Sequence, residues 1–181
     1  MHMKLVVITG SPHKRGTSAL LAEEFIKGAK EAGHTVYRFN AALECVHPCI
    51  GCDVCGCGAN PCVFQDAMNE LYPRLKQADA VAFVSPLYYH ALSSQIKMVI
   101  DRFHGIDDHL RGAHKKALLI VTAADKTPSI MNGAVGSFQE TLRYLQWEEA
   151  GMLLAYGCYH RSDIEGTDYP EKAYALGKIL K

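Results

Sequence analysis

The chain has 181 residues, a length suited to one domain, residues 1–181, with a sizeable buried core. Lysine plus arginine and aspartate plus glutamate each number 19, so the formal net charge is zero and there is no global basic field of the kind that nucleic acid or an anionic membrane attracts. No apolar run approaches a bilayer span, and the N-terminus lacks the features of a secretory leader, so the expectation is a cytoplasmic protein with a small-molecule partner.

Leu5 to Ile8 form a short β-rich apolar run, the first strand. Gly10 then opens a turn carrying Ser11, His13, Lys14, Arg15, Gly16, Thr17 and Ser18, after which Leu21, Phe25, Ala29 and Ala32 recur at helical spacing and Gly33 is placed to end the helix. A helix N-terminus exposes unpaired N–H groups and the positive end of the dipole, so hydroxyls and basic side chains gathered there suit a phosphate. His34 to Asn40 has the composition of a second strand, parallel to the first because a helix intervenes. From residue 41 to 65 no periodicity holds, and a loop this long in a compact domain is usually functional or disordered.

Asp66 to Gln77 reads as a helix with Met68, Leu71, Tyr72 and Leu75 on one side and Pro73 expected to kink or split it. Ala78 to Pro86 is apolar almost throughout, as a strand covered on both faces should be, and runs into Leu87, Tyr88 and Tyr89. Leu92, Ile96, Val99, Ile100 and Phe103 give the stripe of a third helix, with Ser93 and Ser94 near its start. Ala117 to Ala123 is a fourth strand, Val135, Phe138, Leu142 and Leu145 mark a fourth helix, and Met152 to Tyr159 is a fifth strand. Pro170 opens a last helix through Ala173, Leu176 and Leu180. Five β/α repeats with short loops predict an α/β fold, an open parallel sheet with helices on both faces.

Three phosphate loops compete for the first turn. A dinucleotide fingerprint needs glycine two residues after Gly10, where this chain has Pro12. A Walker A loop needs four residues between its glycines and a lysine next, whereas five separate Gly10 from Gly16 and Thr17 follows. The third is an FMN phosphate, held in flavodoxin-like sheets by hydroxyls and amides of this turn at the strand-order switch point. A phosphoacceptor receiver would need carboxylates at the carboxyl ends of the strands, and Asp79 lies at the wrong end; the bland alternative is a solvated turn. In a doubly wound sheet the ends of the third and fourth strands flank the same crevice, which brings Pro86, Leu87, Tyr88, Tyr89, Thr122, Ala123 and Ala124 toward whatever the first loop holds.

The first loop GSPHKRGTS, the segment PCIGCDVC followed by CVFQDAM, and SPLYYHALSSQIKMVIDRF together resemble the flavodoxin-like NADPH-dependent FMN reductases, including their iron–sulfur flavoprotein branch. The resemblance runs from about Lys4 to Phe103. It implies a flavodoxin-like five-stranded parallel sheet of order 2-1-3-4-5, FMN as cofactor, NAD(P)H as reductant, and a homodimer or homotetramer whose subunits complete each other's flavin site. It also implies that Ser11, Arg15, Thr17 and Ser18 hold the phosphate and that Pro86 to Tyr89 lie along the flavin. His13 stands where members often have arginine, a departure that makes its phosphate contact weaker or pH-dependent.

Six of the seven cysteines fall between residues 45 and 62. Cys49, Cys52 and Cys55 follow a C-x-x-C-x-x-C run, and Cys62 is placed to complete four thiolate ligands of a 4Fe–4S cluster; zinc and free or redox-active thiols remain alternatives. Cys57 is an extra thiol, Cys45 has no ligand spacing, His47 is read as an ordinary loop residue, and Cys158 as a buried small hydrophobe on the fifth strand. Asp101 and Arg102 are expected to pair with each other, His90, which follows the Tyr pair, to approach the flavin, and Trp147 to be a packing or subunit-contact anchor. The expected function is an oxidoreductase passing electrons from NAD(P)H through bound FMN to a small acceptor, a quinone or free flavin, with an iron–sulfur flavoprotein electron carrier as the alternative. Because the flavin carries the chemistry, no catalytic side-chain dyad is expected.

Overall fold

A computed structural model describes residues 2–181. Five parallel strands, β1 (Lys4–Thr9), β2 (Thr35–Asn40), β3 (Ala80–Tyr88), β5 (Lys116–Thr122) and β6 (Glu148–Ala155), form a sheet of order β2-β1-β3-β5-β6. This is the predicted 2-1-3-4-5 order. A sixth, two-residue strand, β4 (Ala91–Leu92), turns back antiparallel on the end of β3, pairing Leu87 with Leu92 and Tyr88 with Ala91. The hairpin escapes sequence reading because its two turn residues are Tyr89 and His90, both at positive φ (46° and 63°). Such a tight turn ordinarily announces itself with Asn-Gly or Asp-Gly.

Alternation along the strands divides the core in two. Val6, Ile8, Val81, Phe83, Leu119 and Val121 face one layer, built by α2 (Met68–Gln77), α3 (Ser94–Asp101) and α5 (Asn132–Leu145). Leu5, Val7, Ala80, Ala82, Leu118 and Ile120 face the other, covered by α1 (Thr17–Glu31) and α7 (Tyr169–Lys178). Burying both faces explains the near-continuous apolar runs of β3 and β5. α4 (Asp107–Leu110) and α6 (Arg161–Glu165) are short additions that no periodicity announced.

Other boundaries move for local reasons. Pro73 leaves α2 a single helix. α3 ends at Asp101 and tightens into a 3-10 turn over Arg102–Ile106. β6 starts at Glu148 and stops at Ala155, so the predicted fifth strand is displaced toward the C-terminus. Its first residues are exposed glutamates at a sheet edge, which hide the strand from an apolar-run criterion. Cys158 consequently lies in the loop beyond β6.

Candidate functional site

The carboxyl ends of β1, β3, β5 and β6 surround a crevice of about 720 Å³. Its floor is the turn between β1 and α1. Gly16 precedes α1 without any side-chain cap, and the first turn of α1 carries no acidic residue, so its first N–H groups remain available to an anion beside Lys14 and Arg15. Close packing holds the turn in place. Gly10 donates its N–H to the Val84 carbonyl (2.9 Å) and accepts from Ser93 Oγ (3.0 Å), while a Cβ at this position would collide with Ser93 Oγ and Ile96. Ser85 Oγ in turn accepts from the Ser93 N–H (2.9 Å), joining the end of β3 to the same knot. On the far side Thr17 Oγ1 donates to Thr122 Oγ1 (3.0 Å), tying the first turn of α1 to the end of β5.

The loop beyond β6 closes the crevice. Gly157, at φ 71°, donates to the Asp125 carbonyl and Cys158 donates its N–H to the Ala123 carbonyl, folding the loop back on the end of β5. Cys158, Tyr159, His160 and Arg161 thereby reach the crevice wall. Burial pushes the Cys158 thiol up from its ordinary value, and its Sγ donates to the Tyr156 carbonyl (3.2 Å). Tyr159 stands 74% exposed, edge-on to the His160 ring at 4.7 Å.

The cysteine loop lines a different pocket, which shares no residue with this crevice. Cys49, Cys52, Cys55 and Cys62 line one small pocket with Ile50, Val63, Phe64, Arg102 and His104. The backbone folds tightly to bring them there, with Gly51, Asp53, Gly56, Cys57 and Gly58 all at positive φ. Among the described residues no three His, Cys, Asp or Glu side chains form a cage for a single metal ion. The loop is anchored by Arg102, which is 1% exposed and donates to both oxygens of Asp66 (2.7 and 3.2 Å) and to the His47 carbonyl (2.8 Å), with Phe64 beneath its guanidinium at 5.2 Å. Arg102 therefore pairs with Asp66, and Asp101 instead pairs with Lys97 (2.5 Å). His47 is more than a loop residue: its N–H donates to Asp66 (2.9 Å) and its ring stacks on Phe64 at 4.8 Å. Burial by itself would raise the Asp66 carboxyl, but hydrogen bonds from Arg102 and from the N–H groups of His47 and Met68 outweigh it and hold it down to about 2. Arg102 Nε is buried without a hydrogen-bond partner among the described residues.

A family model for NADPH-dependent FMN reductases matches residues 3–135. The chain belongs to this family. An iron-sulfur flavoprotein of Archaeoglobus fulgidus is 32% identical over 98% of this chain and 93% of its own length. An iron-sulfur flavoprotein of Methanocaldococcus jannaschii is 34% identical over 55% of this chain, and the match spans 51% of that protein, about half its length. Among solved structures, an NAD(P)H:quinone oxidoreductase from Methanothermobacter marburgensis superposes with a TM-score of 0.76 over 100% of this chain and 97% of that one, at 18% identity, a likeness of fold.

Within this FMN reductase family member, nine of the twelve residues singled out for a flavin lie on the crevice wall: Ser11, His13, Arg15, Thr17, Pro86, Leu87, Tyr88, Thr122 and Ala124. The other three do not. Ser18 is buried inside the first turn of α1, and Ala123 is buried with both backbone polar groups paired across to the β6 end. Tyr89 is fully exposed at the hairpin tip. His90 does not line the crevice either; its ring bonds the Ile130 carbonyl (3.2 Å) beside this hairpin. Trp147 is a core residue whose Nε1 donates to the Leu110 carbonyl (2.8 Å). Sequence reading missed Cys158 to Arg161 because it placed Cys158 inside a strand; Gly157 two residues beyond the true strand end was the available signal.

Proposed function

We propose that the chain is an FMN-dependent oxidoreductase that takes electrons from NAD(P)H and delivers them to a small acceptor such as a quinone or a free flavin. The observation that carries this reading is the crevice of about 720 Å³ at the carboxyl ends of the strands, floored by an α1 N-terminus without side-chain cap or acidic neighbour. FMN bound there supplies the hydride and electron chemistry. The chain's own residues bind and orient it. Lys14, Arg15 and the first N–H groups of α1 neutralise the phosphate, with Ser11, His13 and Thr17 at the same turn. Pro86, Leu87, Tyr88 and Tyr159 form the apolar wall of the ring slot, and Thr122 and Ala124 its β5 side. Cys158, raised by burial, stays a neutral thiol and brings no charge to the ring.

FMN titration of the apoprotein, followed by quenching of flavin fluorescence, should give saturable binding, and the loaded protein should oxidise NADPH with a quinone present. Failure to bind FMN would overturn the proposal. We further propose that residues 1–181 act as one FMN-binding domain and assemble as a homodimer or homotetramer, to which the exposed apolar Ile50, Val54 and Val63 of the 41–65 loop lend support. Sedimentation of the holoprotein tests this; a monomer at micromolar concentration counts against it.

A second reading, an electron carrier with a 4Fe–4S cluster on the cysteine loop, is favoured by the convergence of Cys49, Cys52, Cys55 and Cys62 on one pocket. A mononuclear site needs four donors within about 2.3 Å of one point, and no such cage exists among the described residues. A four-iron cluster spreads its thiolates more widely and accepts hydrogen bonds on its sulfurs. The unpartnered Nε–H of Arg102, on the wall of the same pocket, suits that role. Anaerobically purified protein should contain iron and acid-labile sulfide, and Cys52→Ala should lose both while retaining FMN. Iron-free protein from such a preparation overturns this second reading and leaves the flavin proposal standing.

A further inference from the structure

The phosphate turn has a second cavity behind it, of about 310 Å³, on the β2 side and apart from the residues of the ring slot. Ser11, His13 and Lys14 line both cavities, and Arg38 and Asn40 of β2 with Thr9 of β1 complete this one. The chain as a whole is neutral. Here, however, Lys14, Arg38 and His13 share one hollow whose wall contains no carboxylate. None of the three takes part in a salt bridge among the described residues.

Arg38 is also pre-oriented. Thr9 Oγ1 donates to Asn40 Oδ1 (2.8 Å), and the same Oδ1 accepts from Arg38 Nε (2.9 Å), so the guanidinium is held by its inner nitrogen. Its two terminal nitrogens make no hydrogen bond within the described residues. A half-buried guanidinium clamped in this way presents a fork to a planar or tetrahedral oxyanion, at a smaller entropic cost than a free side chain. FMN has one phosphate, and the uncapped end of α1 already offers it a site on the other side of the turn.

We propose that this cavity binds the 2′-phosphate of NADPH, with Arg38 as the residue that distinguishes NADPH from NADH. The inference rests on the reading that a nicotinamide nucleotide reduces a flavin in the adjoining crevice. The two cavities share the phosphate turn as a wall, so a nucleotide whose nicotinamide lies in the crevice has a direct route for its adenosine end across that turn into the second cavity. NADPH differs from NADH only by a phosphomonoester of up to two negative charges, the partner that Arg38, which lines the second cavity and not the flavin crevice, lacks among the described residues.

The test uses FMN-loaded protein and two probes that differ only in the phosphate concerned, 2′,5′-ADP and 5′-AMP, titrated calorimetrically. Wild type should bind 2′,5′-ADP about 10- to 100-fold more tightly than 5′-AMP, the range expected for charge-assisted hydrogen bonds. Arg38→Met should abolish most of that discrimination, and Arg38→Lys should retain part of it. Asn40→Asp, which keeps the side-chain shape but gives Arg38 a carboxylate partner, should also abolish it; this variant guards against an Arg38→Met protein that fails to fold. Equal binding of the two probes by wild type, or undiminished discrimination in both Arg38→Met and Asn40→Asp, overturns the proposal. So does 2′,5′-ADP that binds apoprotein alone and is displaced by FMN, since the cavity would then belong to the flavin phosphate. Should FMN itself fail to bind, the flavin reading falls, while the same titrations on apoprotein still report on the 2′-phosphate site.

Discussion

The flavin crevice and the cysteine loop are held in place by different physics. The crevice is a product of the sheet: its walls are the ends of strands whose register is set by two buried faces, and small contacts such as Gly10 against Ser93 and Thr17 to Thr122 only trim it. The loop has no sheet to lean on. Its position depends on one buried guanidinium, Arg102, that gathers Asp66, His47 and Phe64, and on a run of left-handed backbone that folds the thiols toward one pocket. Damage to the first should therefore be graded, and damage to the second abrupt.

The largest effect is expected at Arg102. Arg102→Met leaves the Asp66 carboxylate buried without its partner, which should cost about 3–5 kcal/mol; urea unfolding would read this as a lowered midpoint. Proteolysis should cut within residues 41–65 of the variant before the rest of the chain. If the loop stays protected, the anchor lies elsewhere. On the crevice side, Gly10→Ala must displace Ser93 or Ile96, an overpacking penalty of about 1–3 kcal/mol. Because the phosphate turn moves with it, FMN affinity should fall as well, whereas the accessibility of the loop cysteines to a thiol reagent should not change.

Acid separates the two regions further. The Asp66 carboxyl sits at about 2 in the folded chain against an ordinary value of 3.8. A depressed carboxyl contributes stability that is present above the unfolded value and is lost as pH falls through the folded one. The loss, about 2 kcal/mol, should therefore develop between about pH 4 and pH 2. Unfolding measured across this window should show it in wild type, and Asp66→Asn, destabilised throughout, should lack that dependence. The smallest effect is expected for Thr17→Val, which removes one hydroxyl bridge at the rim: about 1 kcal/mol in stability and a several-fold weaker FMN, read by fluorescence titration. A change as large as that of Arg102→Met would mean that the crevice too hangs on a single contact.

Much of the architecture was legible before the structure. Hydrophobic periodicity located four of the five parallel strands and their crossover helices, and set the fifth four residues too late, because burial on one or two faces writes itself into residue order while an exposed strand start does not. The phosphate turn and the four clustered cysteines were also legible, since a glycine turn before a helix and a C-x-x-C-x-x-C run are local in the chain. What sequence could not contain was the pairing of distant groups. Adjacency in the chain points Arg102 to Asp101, yet its partner lies 36 residues away in Asp66. Tyr89 looked equivalent to Tyr88 until a tight turn at positive φ swung it out to solvent. Cys158 to Arg161 joined the crevice only because β6 ended earlier than its apolar residues suggested, and Arg38 gained significance only beside Lys14 and His13. Local order thus determined the alternation of strands and helices, the phosphate turn and the thiols. Tertiary structure alone decided which side chains share a cavity, because that depends on the ends of strands brought side by side from separate parts of the chain.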